Sequence, residues 1–474
     1  VAAVPAAPAA AQGVGDFPIW IELDKPQLVT VVIEDAQGVR VRNLIAETQL
    51  TAGRNRLSWD GYDDGKQNAA GDLVRTRVAP GTYRARGLTQ DGIQLVYEFT
   101  AYSGGNPPWP TKDHTGGWLA DHYCPLGAVF LPAKSGSPYG DGAPQVLLTS
   151  YVAEAGAPLV WVGLDGQTLQ RRHVWGWDGA VAATRDAGTS AQPDLYAFLA
   201  LANDKDIHIR ALKSDGTGIN VLSFKRKNPG DNASHSGYSL AVHDGLLAFS
   251  VVSDEAVAFA DVATKKIIDV LPIPKPTGLH FDAAGKLLVI SNGKVLRYTV
   301  KRETDKTGAK KVALADESVV IASGLDEPRT LAFNPAGTEL YVSSWGKSHQ
   351  VKVFTPDGKP LRTIGKPNDG GQLGLYDELK MQAPLGLAID DRDQLWVVEA
   401  THLPKRISLW DAKTGAFQRA HYGPPHYGGG GTIDPSDKTR LFYSDHVGLI
   451  EFALDWKTGT AKPHAICVNG WSET

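Results

Sequence analysis

The chain has 474 residues, and its 48 Lys and Arg against 52 Asp and Glu give a formal net charge of only −4. This small charge and the lack of any run of five or six like charges exclude a nucleic-acid partner. No apolar stretch approaches the roughly 20 residues that cross a bilayer, which excludes a transmembrane segment. The 51 Gly, 29 Pro, 12 Trp and 15 Tyr favour many short strands, so we expect an all-β protein.

The first 15 residues are rich in Ala and Pro and begin at Val1, which predicts a flexible segment left after removal of a signal peptide. We therefore expect an extracytoplasmic location, in the periplasm, in the cell envelope or secreted. An artificially trimmed chain would have the same start, so both origins stay open.

Residues 16–100 are predicted to form a small β-sandwich of immunoglobulin-like size. The stretch QLVTVVIEDAQGVRVRNLI alternates apolar and polar residues on both sides of Asp35-Ala36-Gln37-Gly38, which has the residues of a tight turn. The segments RNRLSWDGYDDG and VAPGTYRARGLTQDG supply further strands with Gly and Asp at their turns.

This order of segments resembles the immunoglobulin-like domain of the flagellar hook-capping protein family. Trp59-Asp60-Gly61 and Pro80-Gly81-Thr82-Tyr83 are its most specific part, and the insert KQNAAGDLVRTR departs from the compact pattern. The resemblance implies a β-sandwich on a bacterial exported protein, and through it a possible protein partner. It does not imply a role in flagella.

Residues 101–117 have the composition of a linker, and residues 118–474 are repetitive. Four segments share one plan of short strand, turn, hydrophobic strand, polar loop and third strand. In these segments Asp282, Asn334, Asp390 and Asp434 occupy equivalent positions. Three earlier segments fit the same plan more loosely. This period predicts a seven-bladed β-propeller, with six blades as the alternative. The later units resemble propellers of the NHL and quinoprotein-like repeat families, a resemblance that implies architecture but not activity.

In a propeller, the loops between second and third strands and the loops that enter the innermost strands gather at one end of the central channel. We expect a polar funnel at this end, where carboxylates and imidazoles can transfer protons or bind metal and aromatic rings can stack on sugars. The catalytic candidates are Glu399, His402, His426, Tyr427, Asp445 and His446. The substrate-binding candidates are Glu154, Trp177, Asp178, His235, Asp254, Arg329, Trp345 and His349.

The strongest candidates pair a carboxylate with an imidazole or lie in glycine-rich backbone. Glu399 with His402 and Asp445 with His446 are such pairs, and His426 with Tyr427 lies in HYGPPHYGGGG. His402, His426 and His446 are also the candidate metal ligands, with a divalent ion such as calcium as a possible cofactor. Asp121 and His122, just before the first blade, are predicted only to pack against the ring.

Cys124 and Cys467 lie near the two ends of the repeat region. A disulfide across the ring closure and two unrelated thiols are equally compatible with these positions, because sequence does not determine connectivity.

Three functional hypotheses follow from these patterns. The first is a carbohydrate-active enzyme, a polysaccharide lyase or a glycoside hydrolase, with a polysaccharide or oligosaccharide ligand in the funnel. The second is a non-catalytic binding or assembly scaffold of the cell envelope, and the third is a quinone-dependent oxidoreductase. The sequence contains no motif that decides among them, so whether the protein is an enzyme stays open.

Overall fold

The structure, a computed structural model, describes residues 2–4, 15–92, 98, 119–120, 122–154, 157–173, 176–188, 192–202, 205–228, 238–369, 373–423, 426, 430–444 and 447–469. The chain divides into two compact units, residues 1–97 and 98–474. The predicted all-β class is confirmed, with a sandwich in the first unit and a propeller in the second. In the described part of the chain, no helix is long and apolar enough to cross a membrane.

The first unit is a sandwich with one sheet in the order β1-β8-β3-β4, a second sheet of β2 and β5, and a small hairpin of β6 and β7. Its strands are β1 (Ala2–Val4), β2 (Phe17–Leu23), β3 (Gln27–Glu34), β4 (Arg40–Leu50), β5 (Gly53–Trp59), β6 (Lys66–Gln67), β7 (Leu73–Val74) and β8 (Tyr83–Gln90). The predicted turn joins β3 to β4, and the Asp35 carboxylate accepts the backbone N–H groups of Gln37 and Val39 at 2.9 Å. β1 pairs with β8 although it lies within the residues expected to be flexible.

The two sheets of the sandwich share one buried core around Trp59, which is 2% exposed. The Tyr83 ring meets Trp59 edge-on with ring centroids 5.1 Å apart, and its hydroxyl donates to Ala79 O at 2.7 Å. A tyrosine bonded to backbone a few residues upstream is typical of immunoglobulin-like sandwiches. The resemblance to the hook-capping family stays a prediction.

In the described part of the chain, the second unit contains seven antiparallel sheets, and six of them are each built from four consecutive strands. Blade 1 consists of β9 (Pro125–Leu131), β10 (Gln145–Ser150), β11 (Leu159–Gly163) and β12 (Thr168–Arg172). Blade 2 consists of β13 (Ala182–Thr184), β14 (Leu195–Ala202), β15 (Asp206–Lys213) and β16 (Gly218–Lys225). Blade 3 consists of β17 (Leu240–His243), β18 (Leu246–Val251), β19 (Ala256–Asp261) and β20 (Lys266–Pro272).

Blades 4 to 6 follow the same plan. Blade 4 consists of β21 (Pro276–Phe281), β22 (Leu287–Ser291), β23 (Lys294–Thr304) and β24 (Lys310–Ile321). Blade 5 consists of β25 (Pro328–Phe333), β26 (Leu340–Ser344), β27 (Gln350–Phe354) and β28 (Pro360–Ile364). Blade 6 consists of β30 (Pro384–Ile389), β31 (Gln394–Glu399), β32 (Arg406–Asp411) and β33 (Phe417–Tyr422).

The seventh sheet lies beside the ring and has the order β29-β37-β36-β35-β34. Its strands are β29 (Gly374–Leu375), β34 (Gly430–Ile433), β35 (Arg440–Ser444), β36 (Gly448–Asp455) and β37 (Thr460–Asn469). Its own core contains Ile450 and Phe452, together with Leu403 from the loop between β31 and β32 of blade 6.

The ring closes with six blades, the alternative that the sequence had left open. A separate buried core lies between each pair of neighbouring blades. The core between blades 6 and 1 joins Trp396 to Phe130. A Cβ added to Gly386 in β30 would lie 2.8 Å from Leu126 O in β9, so the two inner strands are in close contact. Because blades 1 and 6 each supply all four of their own strands, side-chain packing closes the ring.

The equivalent positions inferred from the repeats cap the turns after the first strands of their sheets. Asp282, Asn334, Asp390 and Asp434 each accept a backbone N–H two to four residues ahead, at 2.8–3.0 Å. Asp and Asn favour turns because their side chains bond to nearby backbone in this way. What repeats along the sequence is therefore an Asp or Asn that caps a turn, and it occurs both in the ring and in the sheet outside it.

Gly166 provides a test of the closure between blades 1 and 6. Its φ is +88°, and an added Cβ would lie 2.4 Å from the His421 ring in β33. We expect Gly166→Ala to lower the free energy of unfolding by about 2–4 kcal/mol, because left-handed strain and overpacking add.

The matched control for Gly166→Ala is Gly293→Ala. Gly293 also has a positive φ, +76°, but no atom lies within 4 Å of its added Cβ. Strain alone should cost about 1–2 kcal/mol there. Urea unfolding measures both variants, and equal losses would contradict the close approach of His421.

Candidate functional site

Two histidines from different segments meet next to blade 6. His402 lies in the loop between β31 and β32, and His426 lies in the connection between β33 and β34. Their Nδ1 atoms are 3.1 Å apart and their ring centroids 4.7 Å apart. Both are buried, with exposed fractions of 7% and 8%. The structure thus brings together two predicted site residues that are 24 positions apart in sequence.

The segment before β9 adds a third histidine and an aromatic ring to this pair. The His122 ring lies 6.1 Å from the His426 ring between centroids, and the Tyr123 ring meets His402 edge-on at 5.3 Å. His122 Nε2 is 3.4 Å from Oε2 of Glu154, which lies in the loop between β10 and β11. We name His122, Tyr123, Glu154, His402 and His426 the histidine cluster.

Backbone contacts hold the segments of the histidine cluster in place. Lys405 is fully buried, and its Nζ donates to Ala120 O at 2.7 Å, which ties the loop after β31 to the segment before β9. Gly423 N donates to Lys405 O at 3.0 Å, which ties the same loop to the chain leading to His426. The short loop therefore fixes both of the segments that carry the other histidines.

The histidine cluster is open to solvent on the side of blade 1. The Glu154 side chain is 50% exposed, whereas His122 is 15% exposed. Next to the Glu154 loop, Val152 pairs with Asp178 and Ala153 N donates to Trp177 O at 3.0 Å. The Trp177 side chain is 61% exposed, so an indole lies on the surface beside the loop that carries the carboxylate.

This arrangement can transfer protons. A hydrogen bond between two Nδ1 atoms requires one imidazole to donate and the other to accept, so the pair holds a defined proton. Glu154 offers an acceptor to His122, and Tyr123 adds a phenol beside His402. Histidine is a common general acid or base, and its partners set the tautomer.

The described residues do not form a metal site. No group of three or more His, Cys, Asp or Glu side chains in that part of the chain is placed to hold an ion. The sequence-predicted metal candidates His402 and His426 bond to each other through Nδ1.

Glu399 is not near solvent but forms an ion pair inside blade 6. Its Oε1 is 3.1 Å from Nη1 of Arg406 and accepts the Ser408 hydroxyl at 2.7 Å, while Oε2 accepts Gln382 N at 2.8 Å. Both charged side chains are 1% exposed. Burial raises the pKa of Glu399, and Arg406 opposes this rise. The contacts assign Glu399 a structural role, because they leave no side for a substrate.

Trp345 and Arg329 close the predicted funnel rather than line it. Trp345 is 8% exposed, its Nε1 donates to Pro384 O at 2.8 Å, and the Arg329 guanidinium lies 4.0 Å from the ring centroid. Trp345 belongs to the same buried cluster as Leu126 and Leu385 of the inner strands. Trp345 therefore packs on the starts of the inner strands β9 and β30.

His349 and Asp254 bond to backbone. His349 Nδ1 accepts Ala383 N at 2.9 Å, and burial lowers the pKa of this histidine. The Asp254 carboxylate accepts the N–H groups of Lys227 and Asn228 at 2.8 and 2.7 Å. Each side chain fixes a loop of the ring. The remaining sequence candidates lie outside the described residues: His235, Tyr427, Asp445 and His446.

Two residues of the histidine cluster have no functional role among the sequence predictions: His122, which is predicted only to pack on the ring, and Tyr123. The one sequence feature that could have indicated a role for them is the segment HYC directly before the first blade, which combines an aromatic side chain with titratable ones. Cys124, which is buried, and Cys467, which is exposed, are not joined by a disulfide.

Comparisons with known proteins report fold only. No protein-family model matches the sequence, and no curated protein matches it. A structure of a protein of unknown function from Bacteroides thetaiotaomicron is 11% identical over 84% of this chain and 95% of its own, with a TM-score of 0.41. A 6-phosphogluconolactonase candidate from Bacteroides fragilis is 12% identical over 76% of this chain and 98% of its own, with a TM-score of 0.39.

A third similar structure, of a nidogen–laminin complex, is 19% identical over 57% of this chain and 93% of its own, with a TM-score of 0.33. Likeness at this level carries no argument about activity. The six-bladed ring rests on the sheets and cores of the chain itself.

Proposed function

We propose that the protein is a carbohydrate-active enzyme in which the histidine cluster transfers protons, and that its reaction is that of a polysaccharide lyase. The observation that carries the proposal is the convergence of His122, His402 and His426 with Glu154, from four separate segments of the chain, at the closure of the ring. Packing alone does not require three imidazoles at one seam, so their convergence favours chemistry.

A lyase suits these residue types. It removes the proton next to a uronate carboxylate and protonates the leaving glycosidic oxygen, so that a C–O bond breaks, a C=C bond forms and no water is consumed. One imidazole of the His402–His426 pair acts as the base, and His122 or Tyr123 supplies a proton. A glycoside hydrolase needs two carboxylates in most families, and Glu154 is the one carboxylate of the histidine cluster as described.

The exposed indole of Trp177 supports a sugar as the substrate. Indole faces stack on sugar rings through apolar contact, and Trp177 lies beside the loop that carries Glu154. We expect Trp177→Ala to raise KM more than it lowers kcat, because the indole binds substrate and does not react.

The test is a panel of acidic and neutral polysaccharides, with the unsaturated product followed by ultraviolet absorbance and new reducing ends measured in parallel. His402→Gln and His426→Gln should each lower kcat by about 100-fold or more. His208→Gln is the matched control, since His208 is an exposed histidine of blade 2 bonded to Ser223. Reducing ends without absorbance would replace the lyase by a hydrolase, and unchanged rates in both variants would refute the role of the pair.

A binding or assembly role is the second candidate, and the seventh sheet favours it. Leu373, Leu375 and Val468 are 69%, 77% and 53% exposed along the side of the sheet formed by β29 and β37. Exposed apolar side chains that lie together mark interaction surfaces. Under this alternative the panel would show no turnover, and a stable complex from cell envelopes would be lost in Leu375→Asp.

We further propose an extracytoplasmic location, supported by the resemblance of residues 16–100 to a sandwich domain of exported bacterial proteins. Fractionation of the source cells tests it, and recovery in the cytosol would refute it.

A further inference from the structure

The centre of the propeller contains a cavity that no residue of the histidine cluster lines. It has a volume of about 460 Å³ and is lined by all six inner strands. Its wall reaches from Leu126 and Leu385 at the starts of these strands to the turns that follow them, at Asp282 and Asn334. The volume is within the range of sites for small organic ligands, roughly 300–1,000 Å³.

Most of the cavity wall is small or apolar. Gly127, Ala183, Ala332 and Gly386 contribute almost no side chain, and Phe281 and Phe333 add rings. The six inner strands surround this space, and the centre of the ring stays unfilled because the residues that face it are small. A ligand of this cavity therefore needs a compact body with apolar faces.

Arg185, directly after β13, brings a cation into this wall. Its guanidinium has no hydrogen-bond or ion-pair partner among the described residues. The adjacent Asp186 does not bond to it, because that carboxylate accepts the N–H groups of Gly188, Asp244 and Gly245 at 2.8–3.0 Å. The Arg185 side chain is exposed. The surrounding protein lowers its pKa by desolvation, and the charge of Asp186 opposes this shift.

His280 in β21 faces the same cavity with one defined ring nitrogen. Its Nδ1 is 2.6 Å from Phe281 O, and since a carbonyl oxygen only accepts, Nδ1 carries the hydrogen. Burial lowers the pKa of His280 to about 4, and the charge of Arg185 contributes to this shift. At neutral pH the imidazole is uncharged, so its Nε2 is an acceptor that a hydroxyl group can satisfy.

We propose that the central cavity binds a small hydroxylated carboxylate, whose carboxylate pairs with the Arg185 guanidinium and whose hydroxyl donates to His280 Nε2. The planar guanidinium fork matches a carboxylate, and none of the described residues forms a hydrogen bond or an ion pair with it. Monomeric sugar acids have this chemistry, with apolar ring faces for the wall of the cavity. The proposal is independent of the histidine cluster and of the reaction proposed for it.

The test is isothermal titration calorimetry at neutral pH with glucuronate, hexanoate, glucose and inorganic phosphate as probes. Glucuronate should bind most tightly, because it alone offers both the carboxylate and the hydroxyl groups. Arg185→Gln should weaken glucuronate binding at least about tenfold, the loss of one charge-assisted pair. His280→Phe should weaken glucuronate and leave hexanoate unchanged, since hexanoate has no hydroxyl to donate.

Arg302→Gln is the matched control, because it removes the same charge from an exposed arginine bonded to the backbone of Asp244 and His243. If Arg185→Gln does not fold, Arg185→Lys keeps the charge, removes the fork and should still weaken glucuronate. No measurable glucuronate binding would overturn the proposal. So would phosphate binding equal to that of glucuronate, or the same glucuronate affinity in wild type and Arg185→Gln.

Discussion

Glu399→Gln should lower the free energy of unfolding by about 3–5 kcal/mol, because it leaves the Arg406 guanidinium buried without a counter-charge. Arg406 keeps the carbonyl oxygens of Glu378 and Lys380 as acceptors, but neither carries a full charge. Its side chain also lies between the rings of Tyr376 and Phe417, at 5.8 and 5.5 Å, so it cannot turn to solvent without opening blade 6. Urea unfolding gives the measurement.

Two further variants separate the ion pair from other effects of the Glu399 change. Glu399→Leu with Arg406→Met should recover much of the stability, since replacing both charges removes the desolvation cost that a single change exposes. Glu327→Gln removes the partner of Arg329 that is 61% exposed and should cost less than about 1 kcal/mol. A Glu399→Gln protein that is as stable as wild type but inactive would return Glu399 to the catalytic candidates.

The fold was predictable because it depends on local patterns. The turn at Asp35–Gly38 and the capping positions Asp282, Asn334 and Asp390 are where the spacing predicted them. The number of blades was not predictable in this way. The segment around Asp434 has the same turn chemistry as a blade, yet its sheet packs on Leu403 beside the ring. Whether a sheet becomes a blade of the ring depends on its contacts with other sheets. The alternation of apolar and polar residues within one strand does not encode these contacts.

The site was predictable only in part, for a related reason. His402 and His426 were candidates as loop residues, and they do meet. Glu399 was grouped with His402 because they are three residues apart, but Glu399 is the last residue of β31 and lies directly opposite Arg406 in β32. The opposite charge at the paired strand position was the available signal. His122 lies at the start of the propeller sequence, whereas His402 and His426 lie near its end. These residues are close only because the ring brings blades 1 and 6 together.

Acid should unfold the propeller in two separate pH ranges, and the upper range belongs to buried histidines. Burial lowers the pKa of His421 to about 4, with the Arg419 charge adding to the shift and Asp165 opposing it. Burial likewise lowers the pKa of His280 to about 4, with Arg185 adding and Asp282 opposing. The usual pKa of an unfolded histidine is about 6.5.

The sign follows from proton uptake. Between about pH 6.5 and pH 4 the unfolded chain binds protons at these histidines that the folded protein does not bind, so stability falls as the pH falls through this range. Each histidine should remove up to about 3 kcal/mol by pH 4 and nothing above pH 7. Carboxylates act lower: hydrogen bonds from Thr217 lower the pKa of Asp215 to about 2, and such groups lose their contribution only below about pH 4.

The measurement is urea unfolding at a series of pH values from 4 to 8, with the slope of stability against pH as the readout. His421→Gln should make that slope shallower between pH 6.5 and 4, whatever it does to stability at pH 8, because it removes one of the histidines whose pKa burial lowers, the others being His280 and His349. A His421→Gln profile parallel to that of the wild type would show that the ring of His421 takes up its proton in the folded protein, and that its position between Trp396 and Gly166 does not shield it from water.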